Sequence, residues 1–139
     1  MGRLPSSINP TASRILILCG LLVLPAFALI GLQWEIRWVA AYVAAINLLT
    51  FWNYSMDKRR AGDGQWRIPE SRLHLLELMG GWPAAYAAQQ WLRHKSSKLR
   101  YRITFWCIVV LHQLLAVDAL LGWRYTELIS DSVELILKQ

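Results

Sequence analysis

Charged residues are scarce in this chain: only 17% of its 139 residues are Asp, Glu, Lys or Arg, whereas 55% are hydrophobic. A disordered chain needs the opposite composition, so disorder is excluded. The length suits a single domain and excludes a large multi-domain enzyme. The two cysteines are too few for a disulfide scaffold.

Motifs that identify a particular chemistry are also missing. The sequence has no nucleophile elbow, Walker loop, dinucleotide fingerprint or Cys-x-x-Cys pair. It also lacks a tight metal-ligand spacing such as His-Glu-x-x-His, so we predict no metal site. The residues therefore name no cofactor, and they leave open whether the protein is an enzyme.

Long hydrophobic runs are what the sequence does contain. Three runs with at most one charge cover residues 15–34, 38–56 and 103–123. About 20 residues of helix cross the roughly 30 Å hydrocarbon core of a bilayer. Because a spanning segment must satisfy its own backbone hydrogen bonds, we expect an all-α integral membrane protein with three transmembrane helices.

A fourth apolar stretch, residues 73–92, carries Glu77 and is interrupted by a Gly80-Gly81-Trp82-Pro83 corner. If it crosses the bilayer, nine basic residues lie inside and six outside; if it dips in and returns, the split is 12 to three. The positive-inside rule favours the second arrangement. We therefore predict a re-entrant or interfacial helical hairpin at residues 69–92, with a cytoplasmic N-terminus. Four transmembrane helices are the alternative.

We expect residues 1–139 to form a single membrane domain. Residues 124–139 mix apolar and acidic side chains, which predicts a short helix on the surface. Ala26-Phe27-Ala28 resembles a signal-peptide cleavage site, but the apolar run continues beyond it, so we expect the segment to be retained. Small residues at 40–45 would allow close helix packing, which leaves a homo-oligomer open.

Polar residues collect on the predicted cytoplasmic side. Glu70, His74 and Glu77 are spaced to share one helix face. A polar cluster at membrane depth is costly and is a candidate functional site. Two simpler interpretations stay open. Glu70 would cap a helix while His74 bonds to a loop, and the basic run at 93–102 would only set topology and contact anionic lipid. His112, inside the last run, suits an interhelical hydrogen bond.

An ordered series of motifs accompanies these residues: Tyr54-x-x-Asp57-Lys58-x-x-Ala61, Arg67-Ile68-Pro69-Glu70-x-x-Leu73-His74, Gly80-Gly81-Trp82-Pro83, Arg93-His94-Lys95-x-x-Lys98 and Tyr101-Arg102-x-x-Phe105. Over roughly residues 40 to 123 the chain resembles domain-of-unknown-function family 1294, a set of small bacterial inner-membrane proteins. The resemblance implies a multi-pass membrane protein whose activity is not established.

The family's motif residues transfer to Asp57, Lys58, Arg67, Glu70, His74, His94, Lys95 and Lys98. Glu77 and His112 are not part of that pattern. Some members of the family carry a cold-shock nucleic-acid-binding domain ahead of the membrane part. Here 14 residues precede the first run, so we expect no nucleic-acid partner.

Three functions follow as hypotheses. In the first, Asp57, Lys58, Arg67, Lys95 and Lys98 bind an anionic ligand such as a phospholipid headgroup. In the second, an enzyme uses His74 or His94 as general acid/base on a lipid or small phosphorylated substrate, with Glu70 fixing the imidazole tautomer. In the third, the protein is a structural membrane protein that oligomerises. The first is favoured because the sequence shows no complete catalytic set.

Overall fold

The computed structural model describes residues 10–31, 35–92 and 98–138, which form helices and turns with no β-strand among them. These residues contain six α-helices: α1 (Pro10–Gly31), α2 (Ile36–Gly62), α3 (Glu70–Leu76), α4 (Trp82–Trp91), α5 (Leu99–Leu120) and α6 (Arg124–Leu137). A wider helical turn, Glu77–Gly81, joins α3 to α4. The all-α prediction is therefore confirmed.

Helices α1 and α5 are, within the described ranges, the two that are long and apolar enough to cross a membrane. They pack along each other, and Gln113 Nε2 on α5 donates to the Leu21 carbonyl on α1 at 2.7 Å. Only 6% of the apolar stretch of α1 and 22% of that of α5 is buried. The core helix of a soluble protein would be mostly buried, so these helices present an unusually large apolar surface outward.

Helix α2 is longer, at 27 residues, but more polar. Its buried polar side chains include Thr50, Asn53 and Asp57. They belong to the face that packs against α3, α4 and the turn between them. The predicted first and third membrane runs thus coincide largely with α1 and α5. A third crossing by α2 stays a prediction.

We call α3, the turn and α4, residues 70–91, the hairpin, because Glu77 before the corner and Gln89 after it both contact Tyr54 of α2. Its corner needs glycine at two positions. Gly80 has a φ of 104°, a left-handed conformation that other residues rarely adopt. At Gly81 a Cβ would overlap the Thr50 side chain on α2 and lie 2.8 Å from the Leu76 carbonyl. The paired glycines therefore let the chain reverse while it lies directly against α2.

Polar side chains of α2 satisfy backbone groups at this corner. Tyr42 Oη donates to the Met79 carbonyl at 2.7 Å. Asn47 Nδ2 donates to the Gly80 carbonyl at 3.4 Å, and its Oδ1 accepts from the Ala84 amide at 3.0 Å. The break in the helix frees backbone groups that would otherwise be costly to bury, and α2 supplies their partners.

The two arms of the hairpin contact α2 at the same residue, Tyr54. Glu77 on the first arm and Gln89 on the second both contact the Tyr54 hydroxyl. Tyr54 lies seven residues beyond Asn47, or about 10 Å along α2. The C-terminal end of α2, both ends of the hairpin and the start of α5 therefore lie at one end of the bundle, which we call the charged end.

The core lies between α2, the hairpin and α5. It is rich in aromatic rings, and its fully or almost fully buried members are Tyr54, Leu73, Trp82, Ala85, Tyr86, Ala88, Tyr101, Phe105 and Val109. Tyr86 stacks on Phe105 with ring centroids 6.5 Å apart. This packing fixes the facing surfaces of α2, α3 and α5, from which the candidate site is built.

Asp118, the single charge in the third apolar run, lies near the end of α5 and caps the start of α6. It is 6% exposed and accepts hydrogen bonds from the Tyr125 amide at 2.8 Å and the Thr126 amide at 3.2 Å. It also accepts from the Thr126 hydroxyl. The first backbone N–H groups of a helix lack partners within the helix, and Asp118 provides them for α6.

Candidate functional site

Glu77 is a fully buried carboxylate at the first position of the hairpin turn. Burial of an ionisable group is expensive unless other groups pair with it, so its hydrogen bonds define the site. The Tyr54 hydroxyl of α2 donates to Glu77 Oε1. The Tyr101 hydroxyl of α5 lies 3.0 Å from the same oxygen and also contacts the Tyr54 hydroxyl.

Two further side chains complete the cluster. Gln89 Nε2, on the second arm of the hairpin, donates to the Tyr54 hydroxyl at 3.3 Å. His74, one helical turn before Glu77, places Nδ1 2.7 Å from Glu77 Oε2. Its ring also packs on the Tyr101 ring, with centroids 4.2 Å apart. We call these five residues the Glu77 cluster: Tyr54, His74, Glu77, Gln89 and Tyr101.

The protons in this cluster follow from its donors and acceptors. Phenols and an imidazole Nδ1–H can donate and carboxylate oxygens accept, so each oxygen of Glu77 has a donor within the cluster. With Nδ1 as donor, the His74 Nε2 is left to accept or, when protonated, to donate. The His74 side chain is 17% exposed whereas the Glu77 carboxylate is 0% exposed. His74 is thus the member through which the cluster can exchange a proton with its surroundings.

Asp57 and Glu70 lie nearer the charged end. Asp57 is fully buried, and its Oδ1 accepts from the Ile68 amide at 2.8 Å, which fixes the loop between α2 and α3. Glu70 pairs with Lys98 at 2.7 Å, where both side chains are about half exposed. These contacts tie α2, α3 and α5 together at the charged end.

The structure separates the predicted site residues into different environments. Lys58 and Arg67 are exposed, Lys98 is engaged with Glu70, and His94 and Lys95 lie outside the described residues. The exposed basic residues that the structure describes at or near the charged end are Lys58, Arg59, Arg67, Arg72, Lys98, Arg100 and Arg102. They form a positively charged rim, and the Glu77 cluster lies deeper in the bundle.

His74 differs from its predicted role in its partner. We expected Glu70 to fix the His74 tautomer, but the carboxylate 2.7 Å from His74 Nδ1 belongs to Glu77, while Glu70 bonds Lys98. The helix explains this exchange, because residues three apart lie as close on its surface as residues four apart. Here Glu77, three residues after His74, is buried in the core, whereas Glu70, four residues before His74, is partly exposed.

No metal-binding group emerges from the described ranges: nowhere in them do three or more His, Cys, Asp or Glu side chains come together. Cys19 and Cys107, on α1 and α5, are free and exposed. The groups present at the Glu77 cluster, a carboxylate, an imidazole and two phenols, can form hydrogen bonds and transfer protons.

Four members of the Glu77 cluster, Tyr54, Glu77, Gln89 and Tyr101, are absent from the predicted catalytic and binding residues. The sequence places Tyr54 and Tyr101 in the ordered motifs and Glu77 on the helix face, but it gives none of them a role. One usable signal was the i, i+3 spacing of His74 and Glu77 in a stretch otherwise apolar enough for a membrane. The distant partners carry no local signal, since 47 residues separate Tyr54 from Tyr101.

Comparison with known proteins identifies the family of this chain. A family described as "Protein of unknown function (DUF1294)" matches residues 47–101. An uncharacterized protein, YsdA of Bacillus subtilis (strain 168), is 34% identical over 77 residues, which are 55% of this chain and 86% of YsdA. The chain belongs to the DUF1294 family. The predicted resemblance is therefore confirmed, and no solved structure matches the chain.

The DUF1294 segment contains the whole of the Glu77 cluster. Residues 47–101 begin in the middle of α2, include the complete hairpin and end at Tyr101 in α5. Helix α1, most of α5 and α6 lie outside this segment. The part of the chain that defines the family is thus the part that builds the buried polar cluster and its charged end.

Proposed function

We propose that this DUF1294 protein is a multi-pass protein of the bacterial inner membrane that binds an anionic ligand, a phospholipid headgroup, at its charged end. In this arrangement α1, α2 and α5 cross the bilayer, the hairpin is re-entrant, and the N-terminus is cytoplasmic. The observation that carries the proposal is the positively charged rim at one end of a bundle whose long helices expose apolar side chains.

Helix α2 buries polar side chains and exposes apolar ones, which supports a third membrane crossing. Its polar side chains Thr50 and Asn53 are buried, while Leu48 and Trp52 are 73% and 66% exposed. The face turned away from the hairpin is therefore apolar, although the average composition of the helix is not. At about 1.5 Å per residue, its 27 residues also exceed the thickness of the hydrocarbon core.

A re-entrant position for the hairpin is supported by its length and its corner. Each arm has about ten residues, or roughly 15 Å, which is half of the hydrocarbon core. Irregular backbone at membrane depth is tolerated only where protein partners satisfy it. Tyr42 and Asn47 of α2 give the corner such partners. Both ends of the hairpin then lie on one side of the membrane, together with the basic rim, as the positive-inside rule requires.

Single-cysteine labelling in intact cells tests this topology. With Cys19 and Cys107 replaced by Ser, we expect Lys58→Cys and Lys98→Cys to be labelled from the same, cytoplasmic side. Both positions are exposed and flank the hairpin. The alternative of four transmembrane helices places them on opposite sides. Labelling from opposite sides would therefore contradict the re-entrant arrangement.

Headgroup binding at the rim is supported by local charge. Of the three carboxylates in this region, Asp57 is engaged with the Ile68 amide and Glu70 with Lys98, while Asp63 is exposed in the loop after α2. Lys58 and Arg67 are exposed beside them. An anionic headgroup in the cytoplasmic leaflet attracts such residues by about 1 kcal/mol each. The rim is thus suited to phosphate groups in the plane of the membrane surface.

Binding is measured on the full chain in dodecyl maltoside with short-chain phosphatidylglycerol and short-chain phosphatidylcholine as probes. We expect tighter binding of phosphatidylglycerol, and each of Lys58→Ala and Arg67→Ala should weaken it about fivefold. Arg124→Ala is the matched control, because Arg124 begins α6 at the far end of α5 from the rim. Equal affinity for the two lipids, or an equal loss in the control, would refute headgroup binding.

One observation favours a second candidate, an enzyme acting on a lipid or small phosphorylated substrate. The His74–Glu77 pair has the arrangement of a carboxylate-oriented general base. Incubation of the reconstituted protein with bacterial lipid extract, followed by mass spectrometry, tests this role. Conversion that is lost in His74→Gln but kept in Arg124→Ala supports the enzyme; no conversion by the wild-type protein removes this candidate.

A further inference from the structure

A cavity of about 930 Å³ lies in the half of the bundle farthest from the charged end. It lies between the second half of α1, the first half of α2, the hairpin corner and the second half of α5, and it is partly open to the outside. Its lining includes Leu29, Val43, Met79, Trp82 and Leu115. The hairpin stops at this level of α2, so its corner forms the inner wall of the cavity.

The size and lining of the cavity suit an apolar chain. Ligand sites typically enclose roughly 300–1,000 Å³ and are lined mainly by apolar side chains with a few polar groups that set orientation. This cavity is at the upper end of that range, and most of its lining is aliphatic or aromatic. The helices around this apolar space also expose apolar side chains on their outer surfaces. A space of this size and lining favours a molecule with a long hydrocarbon portion.

Three of the polar side chains in the lining already have partners. Glu35 pairs with Arg37, Tyr42 donates to the hairpin corner, and Asn47 bonds to both sides of that corner. Tyr42 and Asn47 are thus committed to the hairpin corner, and Glu35 forms an exposed pair at the start of α2.

His112 is different. Its Nδ1 lies 2.9 Å from the Ile108 carbonyl, and because a carbonyl oxygen only accepts, Nδ1 carries the proton. In the neutral ring Nε2 is then an acceptor, and no donor from the described part of the protein lies against it. The ring lines the cavity beside Trp82, with centroids 6.4 Å apart. His112 therefore gives the cavity an unused acceptor beside the buried Trp82, among lining residues that are mainly apolar.

We infer that this cavity binds an amphiphile with a long hydrocarbon chain and one hydroxyl group, whose hydroxyl donates to His112 Nε2. The apolar lining holds the chain, and the His112 acceptor selects a hydrogen-bond donor over an otherwise identical molecule that lacks one. This site is separate from the headgroup site proposed at the charged end, because the hairpin lies between them.

The inference is tested with a photoactivatable hexadecanol that carries a diazirine in its chain. The full protein is placed in phosphatidylcholine nanodiscs, and labelled peptides are located by mass spectrometry. We expect labels on the cavity-lining parts of α1, α2 and α5. Ala119 lines the cavity whereas Leu120 is exposed elsewhere on α5, so Ala119→Phe should abolish labelling and Leu120→Phe should leave it unchanged.

Competition by unlabelled compounds tests the hydrogen bond. Hexadecanol should compete roughly two- to tenfold better than its methyl ether, which cannot donate. In His112→Phe this ratio should fall to about one while the cavity still takes the probe. Labelling that is insensitive to Ala119→Phe would overturn the site. Equal competition by alcohol and ether in the wild type would overturn the role of His112. If Ala119→Phe instead dissociated a dimer, a second copy of the chain would be the occupant, and the inference would be wrong.

Discussion

Replacement of Glu77 is the sharpest test of the buried cluster, because three donors converge on one carboxylate. In Glu77→Leu the hydroxyls of Tyr54 and Tyr101 and the Nδ1–H of His74 lose that acceptor. In Glu77→Gln one side-chain oxygen remains for the phenols, while the amide nitrogen faces His74 Nδ1. His74 then has to change its tautomer to accept.

The magnitudes follow from the cost of leaving buried donors unpaired, about 1–3 kcal/mol each. The two phenols still bond each other, so the loss in Glu77→Leu is smaller than three such terms. We expect Glu77→Leu to lower the free energy of unfolding by roughly 2–5 kcal/mol and Glu77→Gln by about 1–2 kcal/mol. Glu127→Leu, on the exposed α6, should change it by less than about 0.5 kcal/mol.

The measurement is unfolding of the purified protein in dodecyl maltoside with increasing dodecyl sulfate, followed by far-ultraviolet circular dichroism. Equal losses in Glu77→Leu and Glu77→Gln would show that packing, and not hydrogen bonding, makes Glu77 necessary. Unchanged or increased stability in Glu77→Leu would show that the hydrogen bonds of Glu77 do not stabilise the fold. It would mean that the cost of burying the carboxylate exceeds what its three donors return, as happens for some buried ion pairs.

Three further substitutions probe the supports of the fold, each measured by the same unfolding assay. Gly81→Ala should destabilise by about 1–3 kcal/mol because its Cβ would overlap a side chain of α2, whereas Gly20→Ala, with nothing within 4 Å, should be neutral or slightly stabilising. Asn47→Leu should lower the free energy of unfolding by about 1–3 kcal/mol, because two backbone groups of the hairpin corner lose their partner. A variant as stable as the wild type would show that Asn47 does not support the corner. Asp118→Ala should cost about 1–2 kcal/mol and increase proteolysis in α6, and unchanged proteolysis would contradict its capping role.

The helices themselves were accessible from sequence because their cause is local. In a bilayer, long runs with at most one charge leave the backbone no partner but itself. This predicts helices at residues 15–34 and 103–123, and α1 and α5 largely coincide with them. The glycine pair at 80–81 also marked a corner correctly, since one of the two adopts a conformation that only glycine takes easily.

The hydrogen-bond partners of the polar residues could not be predicted from the sequence pattern. Periodicity placed Glu70, His74 and Glu77 on one helix face, but it cannot say which of them turns to the core. Glu77 is buried because the α3 surface that carries it packs against Tyr54 on α2 and Tyr101 on α5. Hydrogen bonds between residues 23 and 47 positions apart depend on helix packing, which no short window of sequence encodes.

What the sequence determined by itself was therefore the scarcity of charge, the helices, the corner and the family. Each of these depends on neighbouring residues or on an ordered set of motifs. Only the tertiary structure decided that Glu77, and not Glu70, holds His74, that two tyrosines enclose the carboxylate, and that His112 faces a cavity. The physical reason is that burial and hydrogen-bond partners belong to surfaces in contact, and those surfaces exist only once the helices have packed.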